Sequence, residues 1–363
     1  ASMGNLSAGN DVQIRGDLLL GSGASVGAIT ASGNASSMVN FQGEVILGSG
    51  ASLGALAGGR DIRFSQDLTV GPQASMGSMV AGRVIDFFDP VLLASGATVG
   101  DLRADDLSVQ FFETLALRAG ASVGTITIDG SGTSTDPGDI KFRVGDALTL
   151  GSGASLGAIF ASQQMTFDGE VFLGSGASVG DLRAGELVRF SDPVTLASGA
   201  ALAAGSGIQA GGSGVLFQDT LFLAEGSEVG AITGSGALSF AAIEGSGNGS
   251  IGAITSLQSG ITQTGNLTLG SGGSIGAITG GAVSGSGDVV LGDGATVLVG
   301  SGGSLGAIAG GNVLLHELTL ARAASVGAIT VDEDSIEFSG ALMLGADSSI
   351  GDLLAGSGAD NIN

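Results

Sequence analysis

Apolar and polar residues alternate in short runs along the whole chain. Runs of one kind are "DIRFSQ" (61–66), "LVRFSD" (187–192) and "SIEFSG" (335–340); runs of another are "DLTVG" (67–71), "DPVTLASG" (192–199) and "NLTLGSG" (266–272). A period of two is the pattern of a strand with one buried face. Gly, Ser, Asn and Asp separate the runs, as bends require. No window carries the 3.6-residue pattern of a capped amphipathic helix. A third apolar piece is the phrase "GSGASLGAI" (151–159), with near-copies at 21–29, 48–56, 174–182, 270–278 and 300–308. Copies of its "ASxG" part begin at 1, 24, 51, 74, 97, 121, 154, 177, 200, 227, 249, 273, 303, 324 and 348, and five of these fourteen intervals are 23 residues. The copy at 200 is degenerate.

Three short strands in about 23 residues describe one coil of a parallel β-helix, hydrogen-bonded to its neighbours about 4.8 Å above and below. The pattern predicts an all-β fold, a single β-solenoid of about 14 coils running over 1–363. A loop insertion is expected near 129–140, and irregular coils near 200–250 and 280–302. Stacked coils require equivalent residues at equivalent positions. One inward column of the second strand reads Phe41, Phe64, Phe87, Phe111, Phe167, Phe190, Phe217 and Phe338. Its outward neighbours are Asn40, Arg63, Asp86, Gln110, Thr166, Arg189 and Glu337, mostly polar. In the repeated phrase Ala and Val, Leu or Ile face inward and Ser faces outward, while Gly lets the backbone bend where a Cβ would clash.

These residues resemble the right-handed parallel β-helix proteins of microbial surfaces: filamentous adhesins, autotransporter passengers and related secreted solenoids. The resemblance extends over all 363 residues and rests on the repeat and the Phe column. It implies a surface-anchored or fibre-forming extracellular rod.

Composition narrows the function classes. Gly contributes 70 residues, yet mean hydropathy is +0.48, so the chain has apolar surface to bury and should fold. A net charge of −23, with 11 Lys plus Arg against 34 Asp plus Glu, argues against nucleic acid and anionic membranes. No apolar run approaches the roughly 18 residues of a membrane span. Without Cys there are no disulfides. The opening "ASMGNL" fits a mature secreted protein or an excised fragment.

An enzyme is not expected. Basic residues are scattered, turns are short, and no nucleophile, phosphate-loop or metalloprotease motif occurs. The lone His316 reads as a solvated turn residue beside Glu317. Before the third strand runs an acidic row: Asp17, Glu44, Asp67, Asp89, Glu113, Asp146, Glu170, Asp192, Asp219, Asp288 and Glu317. Two readings fit it. The acids cap turn N–H groups and face solvent, or Asp17, Glu44, Asp67, Asp89, Glu170, Asp192 and Asp219 form a ladder bridged by Ca²⁺. No other cofactor is expected. The outward column of the third strand is half apolar, with Leu19, Ile46, Leu92, Phe172, Phe222, Val290 and Met343, and is expected to pack laterally against another rod or a wall layer. Asn5, Asn34, Asn248 and Asn266 begin glycosylation sequons.

Neither terminal coil shows a cap in the sequence, which leads to the expectation of head-to-tail joining with other copies, a contact that builds open filaments. The sequence therefore predicts a secreted structural subunit of a filament, sheath or surface layer, self-associating and in contact with cell wall or glycan. The alternative is the stalk of a surface adhesin, and, further off, an ice-binding face built on the Ser column.

Overall fold

The computed structural model describes residues 1–33, 36–130, 141–281, 288–331, 335–355 and 361–362. The insertion expected near 129–140 falls, beyond Gly130, outside the described residues, and so does Asn34. All regular structure among the described residues is strand, arranged as a parallel β-solenoid of about 14 coils with three strands per coil. By compactness the chain divides into two units, Ala1–Gly185 and Glu186–Asn363. Both units are made of the same coil, so nothing in the repeat marks the division.

One coil shows how the sequence folds. Ser52–Leu53 belongs to the first sheet and Leu56–Gly58 to the second. The third sheet takes Asp61–Phe64 and Leu68–Val70, two segments broken by a corner at Ser65–Asp67. The repeated phrase is therefore bent at Gly54, and its two halves lie in different sheets. The two alternating runs, by contrast, share one sheet. The turn preceding Ser52 closes with the Ala51 N–H donating to the Gly48 carbonyl at 3.0 Å, with Gly50 at φ +63°. A left-handed residue in that position is where glycine is favoured.

Stacking is parallel and in register. In the first unit Ser52 pairs with Ser75, Leu56 with Met79, Phe64 with Phe87 and Leu68 with Val91. In the second, Ser274 pairs with Ser304, Ile278 with Ile308 and Val289 with Val313. The coil is irregular in two places. Extra residues separate Ala201–Leu202 from Ile208–Ala210, and the strand Val289–Val299 shifts register against Val313–Leu320 between Leu291 and Thr296. These two long strands run through the corner that other coils bend at, and His316 lies in one of them rather than in a turn. Its Nδ1 is 2.8 Å from the Ser339 hydroxyl.

The Phe column is the core. Phe41, Phe64, Phe87 and Phe111 stack with centroid separations of 4.7, 5.0 and 4.6 Å, close to the spacing of the coils themselves. Val144 interrupts the column between Phe111 and Phe167. Phe142, two residues earlier on the same strand, fills the gap, edge-on to Phe111 at 6.3 Å and tilted against Phe167 at 5.6 Å. In the second unit Phe190, Phe217 and Phe240 stack at 4.6 and 5.3 Å. Phe142 and Phe240 thus join the eight residues read from the sequence. Of those eight, Phe338 alone is only half-buried. After Phe240 the column continues through Gln263, Leu291 and Leu315. Gln263 is buried, and its side-chain amide donates to the Gly265 carbonyl, which satisfies one of its donors.

Candidate interaction surface

The outward column of the third strand is set by the pairing. In the first unit it runs Leu19, Ile46, Thr69, Leu92, Ala116, Thr149 and Phe172, one residue per coil. In the second it runs Thr195, Phe222, Glu244, Thr268, Leu298, Thr319 and Met343. Leu19 is 64% exposed, Met343 49%, and Phe172 and Phe222 36% each. Ile46 and Leu92 are half-buried by their neighbours in the column. Val290 does not belong here. It pairs with Thr262 and Leu314, in the outward column of the second strand, and Leu298 takes its place. The reason is the long strand Val289–Val299, whose second half, not its first, precedes the "GSGG" turn. That order was readable in "VLVGSGGS", which matches "LTLGSGGS" one coil earlier.

In the second unit this column also holds a shallow cleft of about 490 Å³, lined by Thr195, Phe222, Glu244, Gly245, Ser246 and Thr268 among others. Gly245 stands where the preceding coil carries Leu223, so the coil is locally thin.

The acidic row resolves into two adjacent columns. Asp17, Glu44 and Asp67 occupy one, on three successive coils. Asp89, Glu113 and Asp146 occupy the one before it, on the next three, displaced by Pro90, Thr114 and Ala147. Glu170 returns to the first column, while Asp192 and Asp219 each stand two residues before their strands. Asp288 precedes the second-strand part of Val289–Val299 and so leaves the row. The Asp17 carboxylate accepts from the Glu44 N–H at 3.1 Å, and Asp146 accepts from the Thr114 hydroxyl at 2.8 Å. Among the described residues no three His, Asp or Glu side chains come together as a group that could hold a metal ion. Three sequon asparagines do similar work. Asn5 accepts from Ala28 N–H at 2.9 Å, Asn248 from Gly226 N–H at 2.7 Å and Asn266 from Thr296 N–H at 3.3 Å.

Sequence reasoning missed a charge cluster on the second strand's outer face. Asp61 is fully buried. Arg83 grips it with two bonds, Nε to Oδ1 at 3.1 Å and Nη2 to Oδ2 at 3.2 Å. Arg63 Nη2 lies 3.1 Å from Oδ2, and Arg60 Nε 3.7 Å from it. Arg63 also reaches Asp86, 3.5 Å away, on the next coil. The signal was available in "GRDIRF" and "GRVIDF", where Arg60 and Arg83 hold equivalent positions 23 residues apart. The alternation puts Asp86 on the outward side, yet it is only 6% exposed because the arginines fold over it.

Comparison with protein families, curated proteins and solved structures found no match. Among the described residues no helix is long and apolar enough to cross a membrane.

Burial pushes the Asp86 carboxyl up to about 6, with the Asp61 charge adding to the rise and Arg63 opposing it. The folded protein thus holds this proton more tightly than the unfolded chain does. Stability is fullest at acid pH and declines as pH rises from about 4 through 6. Asp86→Asn is expected to stabilise the first unit by about 2 kcal/mol at pH 7.5 and to change little at pH 4. Denaturant titrations at the two pH values check this; equal effects at both would overturn it.

Proposed function

We propose that this chain is a structural protein, a secreted β-solenoid that packs side by side with copies of itself in an extracellular filament, sheath or surface layer. The observation that carries this reading is the partly apolar outward column of the third strand. A monomer surrounded by water has no use for the rings of Phe172 and Phe222 on a strand face. A second solenoid has the same coil spacing of about 4.8 Å, so side chains of one copy can fall between those of the other. The likeness to surface β-helix proteins supports the extracellular setting. Calcium held between acidic columns of neighbouring copies would add to such contacts.

The test is sedimentation of the full chain across a concentration series, with negative-stain microscopy of the assemblies, with and without millimolar Ca²⁺. Laterally associated assemblies are expected. Phe172→Ser combined with Leu19→Ser should weaken association at least about tenfold while leaving the far-UV spectrum intact. A chain that stays monomeric at every concentration would overturn the proposal.

The cleft at Phe222 favours a second reading, the stalk of an adhesin. An aromatic ring beside a carboxylate and several hydroxyls suits a saccharide, and glycan-array binding abolished by Phe222→Ala would move that reading first.

A further inference from the structure

We propose that the arginine cluster at Arg60, Arg63 and Arg83 docks the acidic edge of a second copy of this chain, at Asp17, Glu44 and Asp67. The inference rests on the self-assembly reading and names one of its contacts, distinct from the apolar column.

The charges are complementary and sparse. The chain carries −23 overall, so copies repel unless a basic site meets an acidic one. The cluster sets three guanidinium groups against two carboxylates, Asp61 and Asp86, leaving one positive charge in excess. Each of the three side chains is about a third exposed, at 38, 34 and 30%. Arg60 touches Asp61 only at 3.7 Å, so most of its donors are unspent. The buried Asp61 carboxylate holds Arg83 in a two-bond grip, which fixes the group before any partner arrives and lowers the ordering cost of binding.

The spacing also matches. Arg60 and Arg83 sit on adjacent coils, the Arg83 N–H donating to the Arg60 carbonyl at 2.6 Å. Asp17, Glu44 and Asp67 are exposed and likewise advance one coil at a time. Both sets therefore repeat at about 4.8 Å, so two neighbouring contacts form together when one forms. Within one chain a corner at Ser65–Asp67 lies between the two sets, and Arg60, Arg63 and Arg83 make their ion pairs with Asp61 and Asp86 instead. The cluster does not reach its own acidic edge, and the contact joins two different patches. Such a heterologous contact propagates.

The experiment is sedimentation equilibrium of the full chain in EDTA at 50 and 500 mM NaCl. Association should weaken at least about tenfold at the higher salt. Arg60→Glu and Glu44→Lys should each weaken it comparably at low salt, and an equimolar mixture of the two variants should restore it. Arg60→Gln, which adds no negative charge beside Asp61, serves if Arg60→Glu does not fold. Association that is unchanged in the single variants, or a mixture no tighter than its components, overturns this contact while leaving the apolar column standing. Association that needs Ca²⁺ and ignores Arg60 also overturns it. A wild-type chain that never associates removes this proposal together with the reading beneath it.

Discussion

Asp61→Asn is expected to destabilise the first unit by about 3–5 kcal/mol at neutral pH, the cost typical of breaking a buried ion pair by removing one partner. Asp61 is fully buried, and its two oxygens answer three arginines. The amide keeps the shape but loses the charge, and it presents an NH₂ to donors that need an acceptor. Asp86 then remains as the cluster's carboxylate. With the Asp61 charge gone, a cause of the upward displacement of Asp86 is removed, so its titration moves toward acid. Two aspartates about one coil apart thus respond oppositely to the same substitution. Asn at 86 stabilises at pH 7.5, because that charge is poorly compensated; Asn at 61 destabilises, because that charge organises its surroundings. Denaturant titration of both variants over pH 4–8 reads the contrast, and a stabilised Asp61→Asn protein would refute the role assigned to Asp61.

Gly157→Ala is expected to cost about 3 kcal/mol or more, against about 1–2 kcal/mol for Gly153→Ala four residues earlier. Both glycines lie in one copy of the repeated phrase, "GSGASLGAI". Gly153 has φ +64° and open space around the position of a Cβ, so alanine there meets only the ordinary left-handed penalty. A Cβ at Gly157 would lie 2.6 Å from both the carbonyl carbon and the oxygen of Gly124 on the coil below. Backbone cannot yield as a side-chain tip can, and the coil would have to separate from its neighbour. Gly54, Gly77, Gly100, Gly124 and Gly180 meet the same obstacle from their own preceding coils. Thermal and denaturant melts followed by circular dichroism separate the two effects; equal losses would show that conformation, not inter-coil contact, keeps glycine in the phrase.

The centre of the faithful phrase that recurs through the chain is thereby explained residue by residue. Ala51 and Leu53 fill the interior, Ser52 faces outward, Gly50 turns the corner, and Gly54 lets one coil lie on the next.

Much of the fold was legible because a solenoid repeats its physics at every coil. An inward position is apolar in nearly every copy, so the period of about 23 and the Phe column could be read from spacing alone. What failed was local. Val290 cannot be placed from alternation alone because "DVVLG" and "TVLVG" both alternate, and the pairing shows which of them continues the third strand. Phe142 is invisible to the column's spacing because its ring enters from two residues away. The acidic row was seen, but its division into two columns depends on where each corner turns.

By itself, the sequence determined the coil: its length, its inward residues and its glycine bends, since each is a requirement imposed by an identical neighbour. The charge cluster was decided only by tertiary structure. Whether Asp61 and Asp86 face water or lie beneath arginines depends on side chains from successive coils meeting across the face of the sheet. Periodicity carries no record of such meetings, because it reports what every coil shares, whereas the cluster exists in the few coils that differ.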